Sequence, residues 1–310
     1  MSKHPSLYQQ FRSFCYQNGV SSKNSPKDIE EAIEYFAVFG GMGWTVDMSV
    51  PLDELIEEKV LKNYRYIHGD ITKVTQSNKV YHSLLTAIAT GDRREHSAFK
   101  KAQVGRSQGE ESIDFLVDND LLDRDKPQAK PLDEKEEVSD RLLFTLPFMR
   151  FWFASVSPYY KGIKEGDYKE FKTALANREQ GFSNFIYERL VMELVKQSFK
   201  DDPIIKIGSY WDQTHEIDIL AKTKSGKVIA GAWKFSKSKA KKSDLTKLKE
   251  SCTAADLKAD IYLLFSKSGF SNELKNEKGE GLKLFTLKNL GTLIQDLRPS
   301  DLIDNQNKKY

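Results

Sequence analysis

The sequence predicts a mixed α+β or α/β chain: a helical N-terminal region and a winged helix, followed by a mixed sheet flanked by helices. Three observations carry this. Apolar residues recur at helical spacing through residues 1–75. Residues 79–127 hold three helical stretches, a turn and an extended return. Beyond Gly181, β-rich runs separated by turn chemistry are bracketed by helices. A chain of 310 residues is long enough for two or three small domains with a substantial core, and its 39% hydrophobic and 30% charged content is that of an ordinary globular protein.

Within residues 1–75, Leu7, Tyr8, Phe11, Phe14 and Cys15 mark a first helix that "QNG" at 17–19 can end. "SPKD" at 25–28 offers Ser25 as a cap and Pro26 in the first turn of a second helix, whose inward face is Ile29, Ala32, Ile33 and Phe36. Ser49 and Pro51 open a third, bearing Leu52, Leu55, Ile56 and Val60. Residues 76–140 form the winged-helix-like unit: "VYHSLLTAIATG", "SAFKKAQVGRS" and "QGEESIDFLVDNDLL", then a polar connector over 128–140 read as mobile. Residues 141–180 carry the aromatic run "FTLPFMRFWFASVSPYY", read as a core segment that docks the two halves.

Residues 181–310 open with the helix "FSNFIYERLVMELVKQSF". The β runs "DPIIKIGSYW", "HEIDILAKT" and "KVIAGAWKF" follow, then a basic helix "KKSDLTKLKESC", the strands "ADIYLLFSK" and "LKLFTL", and a closing helix "KNLGTLIQDL". Helix, three meandering strands, helix and strand is the order of a restriction-endonuclease-like core. "GSYW" reads as a tight turn with Trp211 as a core anchor.

Several function classes are disfavoured. No run reaches the apolar length of a membrane span, and "MSKHPSLYQQFRSFC" lacks the basic-then-apolar pattern of a secretory signal, so a cytoplasmic protein without membrane contact is expected. Cys15 and Cys252 lie far apart without metal-ligand spacing, and the five histidines are scattered, which speaks against a zinc site. The net charge of +3 hides an asymmetry. Twelve acids face four bases between Gln108 and Asp140, whereas ten lysines face one acid, Asp244, between Lys222 and Lys249.

In cores of this order a helix carboxylate, an Asp at the start of one strand and a Glu-x-Lys on the next converge. The carboxylates hold Mg²⁺ and the lysine orients or activates the attacking water. The matching positions are Glu188 on the helix, Glu216 and Asp218 on the second strand, and Lys234 on the third. Strict alternation would put Glu216, Asp218 and Leu220 on one face, and Ala232 with Lys234 on one face. Ala232 stands where the central acid belongs, so any Mg²⁺ should bind weakly; Glu250 is the nearest candidate for a displaced acid.

The C-terminal third resembles the domain that ends many archaeal-type AAA+ ATPases, a PD-(D/E)XK nuclease relative. The matching stretches are "FIYERLV" around Glu188, "IGSYWD" at 207–212, "EIDIL" at 216–220, "GAWKF" at 231–235 and "LLFSKSGF" at 263–270. The middle resembles the winged helix preceding that domain, and "AIEYFAVFGGMGW" resembles the lid of the same ATPases. No GxxxxGK[ST] stretch occurs, so no ATP hydrolysis is expected of this chain. The reading is a nucleic-acid-binding protein, DNA favoured, with a degenerate nuclease-like site. Lys237, Lys239, Lys241, Lys242 and Lys247 form its contact track. Two alternatives stay open: an active Mg²⁺-dependent DNase with a displaced acid, and a regulatory or assembly protein that binds a protein partner through the acidic winged helix (Glu110, Glu111, Asp114, Asp118).

Overall fold

The computed structural model describes residues 4–20, 26–128 and 138–303. The cap assigned to Ser25 and most of the 128–140 connector lie outside the described residues. The N-terminal helices are α1 (Leu7–Gln17), α2 (Pro26–Phe39), α3 (Leu52–Ile56) and α4 (Tyr64–Val74). Ser6 caps α1 by accepting the Gln9 N–H, while the Gln9 side chain accepts the Ser6 N–H. Its apolar stripe then buries Phe11, Phe14 and Cys15, and Gly19 leaves the helix in the left-handed conformation. Ile29, Ala32, Ile33 and Phe36 of α2 are all buried, as their spacing requires. Burial of each such large side chain stabilises the fold by about 1.5–3 kcal/mol.

Helices α5 (Lys79–Thr90), α6 (Glu95–Ala102) and α7 (Arg106–Asp118) lead into β1 (Leu122–Asp125), which pairs antiparallel with β2 (Arg141–Phe144). A bridge between Arg94 and Arg141 adds a short third edge to this helix–ribbon unit. The aromatic run becomes α8 (Pro147–Phe151) and a π-helical turn over Trp152–Val156, with Phe148, Phe151, Trp152 and Phe153 fully buried. It is core, as read. Helix α9 (Tyr160–Glu165) and helix α10 (Lys169–Phe182) follow, so residues 141–180 are mainly helical and the boundary drawn at 181 falls inside α10.

The last part contains α11 (Asn184–Ser198), β3 (Ile204–Trp211), β4 (Glu216–Thr223), β5 (Val228–Lys234), α12 (Lys242–Ala254), β6 (Ile261–Ser266), α13 (Asn272–Asn276), β7 (Leu282–Thr286) and α14 (Leu287–Leu290). "GSYW" is the end of β3 rather than a turn, and the closing helix is one turn of α-helix prolonged by a 3₁₀ turn. The five strands stand in sequence order, β3, β4 and β5 antiparallel, β5, β6 and β7 parallel. This is the mixed sheet flanked by helices that the sequence predicts.

Two cores sandwich the sheet. One runs from α1, α2 and the aromatic segment through α11 onto Ile219, Ile229, Leu263 and Phe265. The other lies under α12 and takes Leu220, Ala230, Leu245, Leu248 and Leu264. The helix–ribbon unit shares the first core through Leu122, Leu142 and Phe144, which fixes it against α11 and that face of the sheet.

Candidate functional site

The strand pairing decides where the predicted site residues point. Register between β3 and β4 shifts between Gly208 and Tyr210, so Ser209 opposes both Asp218 and Ile219. Ile217 and Leu220, three residues apart, consequently pack into the same α12-side core. The shared face expected for Glu216, Asp218 and Leu220 is therefore broken: the bulge turns Glu216 and Asp218 toward the α11 side. The same shift ends the β4–β5 ladder at Ile219 and Gly231, and beyond that point Asp218 Oδ2 accepts the Trp233 N–H at 3.0 Å.

On the α11 side the acids meet arginines from the helix–ribbon unit. Arg93 donates to both oxygens of Glu188, at 2.8 and 3.3 Å, and Arg141 donates to Glu216 at 2.7 Å. The Arg141 guanidinium lies 4.2 Å from the centroid of the Trp211 ring, whose Nε1 donates to the Ser139 carbonyl. Asp212 organises the β3–β4 turn beside them, accepting the N–H groups of Thr214 and His215 and the Tyr210 hydroxyl. Burial pushes the Asp218 carboxyl up; the Trp233 N–H opposes this, Glu216 and Glu188 add to it, and Arg141 opposes it, leaving the group at about 7.

Lys234 belongs to a different place. Trp233 packs in the α11-side core, and Ala232 touches the α12-side core. Alternation then sends Lys234 toward α12, where its amine meets Asp244 at 3.0 and 3.2 Å. Asp244 also accepts the Lys241 N–H at 2.7 Å in the first turn of α12. Burial would raise the Asp244 carboxyl, but the Lys241 N–H and Lys234 outweigh it and hold the group low. The acid that α12 contributes near Lys234 is thus Asp244, whereas Glu250 stands exposed further along the helix. The structure brings Glu188, Glu216 and Asp218 into one electrostatic neighbourhood and seats Lys234 elsewhere.

These side chains do not fit a Mg²⁺ site as they stand. Glu188 and Glu216 are each engaged by a guanidinium, and among the described residues no three His, Cys, Asp or Glu side chains are grouped to hold a metal ion. The basic track is clearer. Lys237, Lys239, Lys241 and Lys247 are exposed, and among the described residues none of them forms an ion pair. Lys242 differs, being tied to Glu277 at 2.6 Å. Sequence reasoning missed Arg93 and Arg141, for which no local signal exists. Asp244 was visible as the lone acid in a basic stretch, at a position that favours helix starts.

Comparison with known proteins adds relatives but no activity. The DUF234 family model, described as archaea bacterial proteins of unknown function, matches residues 152–246, from the aromatic segment into α12. An uncharacterized protein of Methanocaldococcus jannaschii is 22% identical over 213 residues, 63% of this chain and 46% of that relative. The chain thus spans about half the length of that curated relative. No solved structure matches.

Proposed function

We propose that this chain is a nucleic-acid-binding protein, with DNA the favoured ligand, built on a degenerate PD-(D/E)XK nuclease-like domain whose cleavage is weak or absent. One observation carries the binding half: Lys237, Lys239, Lys241 and Lys247 are exposed on the β5–α12 connection and α12, and among the described residues none of them is in an ion pair, although Lys247 lies in the field of Asp244. Unpaired exposed lysines are available to phosphates and release counterions on contact. The cleavage half follows from charge already spent elsewhere, with Glu188 and Glu216 on arginines and Lys234 on Asp244. A resemblance to the tail of AAA+ ATPases, a cytoplasmic setting and independence from ATP belong to this same reading.

Binding of labelled duplex DNA by the full chain at two salt concentrations tests it. Contact with three phosphates predicts a loss of affinity of about 40-fold between about 50 and 200 mM salt. The variant Lys237→Glu/Lys239→Glu/Lys241→Glu should bind more than about tenfold more weakly whatever the base sequence, because phosphate contacts position without reading bases. Equal binding by parent and variant would sink the proposal. The second reading, a protein partner on the exposed acids Glu110, Glu111 and Asp118 of α7, would then take its place.

A further inference from the structure

The junction between the helix–ribbon unit and the sheet holds more order than nucleic-acid binding requires. Arg93 and Glu188 are 95 residues apart in sequence and meet in a forked, two-oxygen pairing; Arg141 and Glu216 are 75 apart. Arg141 is 7% exposed, so its guanidinium is enclosed between Glu216 and the Trp211 ring. Arg93 has a φ of +69°, a left-handed conformation that L side chains rarely adopt. The Arg93 carbonyl accepts the Leu142 N–H at 2.7 Å, so β2 pins the strained residue in place. The strain is kept where it aims a guanidinium at the helix carboxylate.

A guanidinium carries a fixed positive charge with N–H donors spaced to match both oxygens of a carboxylate. Two of them deliver the charge of one divalent ion to the same set of acids. We propose that Arg93 and Arg141 stand in for a metal at this acid set: they neutralise Glu188 and Glu216 in place of a divalent cation, and the acids thereby become the docking points that hold the helix–ribbon unit on the sheet. The inference rests on the nuclease-like reading for the identity of the acid set. It is independent of nucleic-acid binding by the lysines.

Thermal unfolding of the full chain in MnCl₂ and in EDTA tests it. The parent should show the same Tm in both, and Arg93→Ala and Arg141→Ala should each lower it by several degrees. The double variant Arg93→Ala/Arg141→Ala should gain a saturable rise in Tm with Mn²⁺ that Glu188→Gln removes. A saturable rise in the parent that depends on Glu188 and Asp218 would overturn the inference, since the acids would then take a metal beside the arginines. A folded double variant indifferent to Mn²⁺ would overturn it too. If the double variant does not fold, Arg93→Gly decides. That change relieves the left-handed backbone while deleting the guanidinium, so a saturable Mn²⁺-dependent rise in its Tm supports the stand-in and indifference to Mn²⁺ refutes it. DNA binding by the parent and its lysine variants is read separately, so the two proposals fail independently.

Discussion

Glu188 and Glu216 lie against Arg93 and Arg141 at the seam between two units, whereas Lys237, Lys239, Lys241 and Lys247 stand exposed along the β5–α12 rim and, among the described residues, in no ion pair. Both regions are rich in charge, and charge count alone does not separate them. The seam invests its charges in internal pairing, so removing Arg93 strands Glu188 in a half-buried place, and removing Glu216 strands the enclosed Arg141. The rim leaves its charges to solvent, so they contribute little to folding and remain free for a ligand. Chemistry is expected where charge is unsatisfied by the fold. By that criterion the proposed nucleic-acid contact belongs to the rim and not to the acid set.

The largest expected effect breaks the seam. Arg141→Ala removes a nearly enclosed guanidinium together with its packing on Trp211, and should lower stability by about 2–4 kcal/mol in chemical denaturation. A loss below about 0.5 kcal/mol would mean that the seam is as loosely held as the rim.

The next effect is pH dependence at Asp218. Its carboxyl is raised from near 4 to about 7 in the folded chain, chiefly by burial. The stabilising contribution of the protonated acid is complete below the unfolded value and is lost as pH rises through 7, because the unfolded chain releases this proton first. Asp218→Asn should flatten that decline, by no more than about 4 kcal/mol at pH 8. Denaturation at pH 5 and pH 8 measures it, and an equal difference between parent and variant at both would remove the raised carboxyl from the account.

A smaller effect belongs to the boundary between the regions. Lys234→Ala frees Asp244, which still accepts the Lys241 N–H, and should cost about 1 kcal/mol or less. The smallest concerns Ala232. A glutamate there would share the α12 side with Lys234 and Asp244, away from Asp218, so Ala232→Glu alone should leave Mn²⁺-dependent nicking of plasmid DNA at background. Nicking well above background would place Lys234 and Asp218 in one working site and erase the contrast.

Much of the fold was legible. The inward faces of α1, α2 and α11, the strands β3 to β7 and the basic helix α12 all follow from periodicities of 3.6 and 2 in stretches that form where they are read. Part of the candidate site was legible as well, since Glu188, Glu216 and Asp218 do come near one another. Asp244 could have been found as the single acid opening a lysine-rich helix.

The sequence by itself determined the element order, the buried stripes and the segregation of acidic and basic stretches, because each depends on residues within a few positions of one another. The tertiary structure alone decided which face Asp218 takes and which partners the acids keep. The face turns on one extra residue in β4 opposite Ser209, a matter of pairing with another strand that alternation within β4 cannot show. The partners turn on Arg93 and Arg141 arriving from 95 and 75 residues away. A charge announces its sign in a sequence, but whether it is spent on the fold or left for a ligand depends on what long-range packing sets beside it.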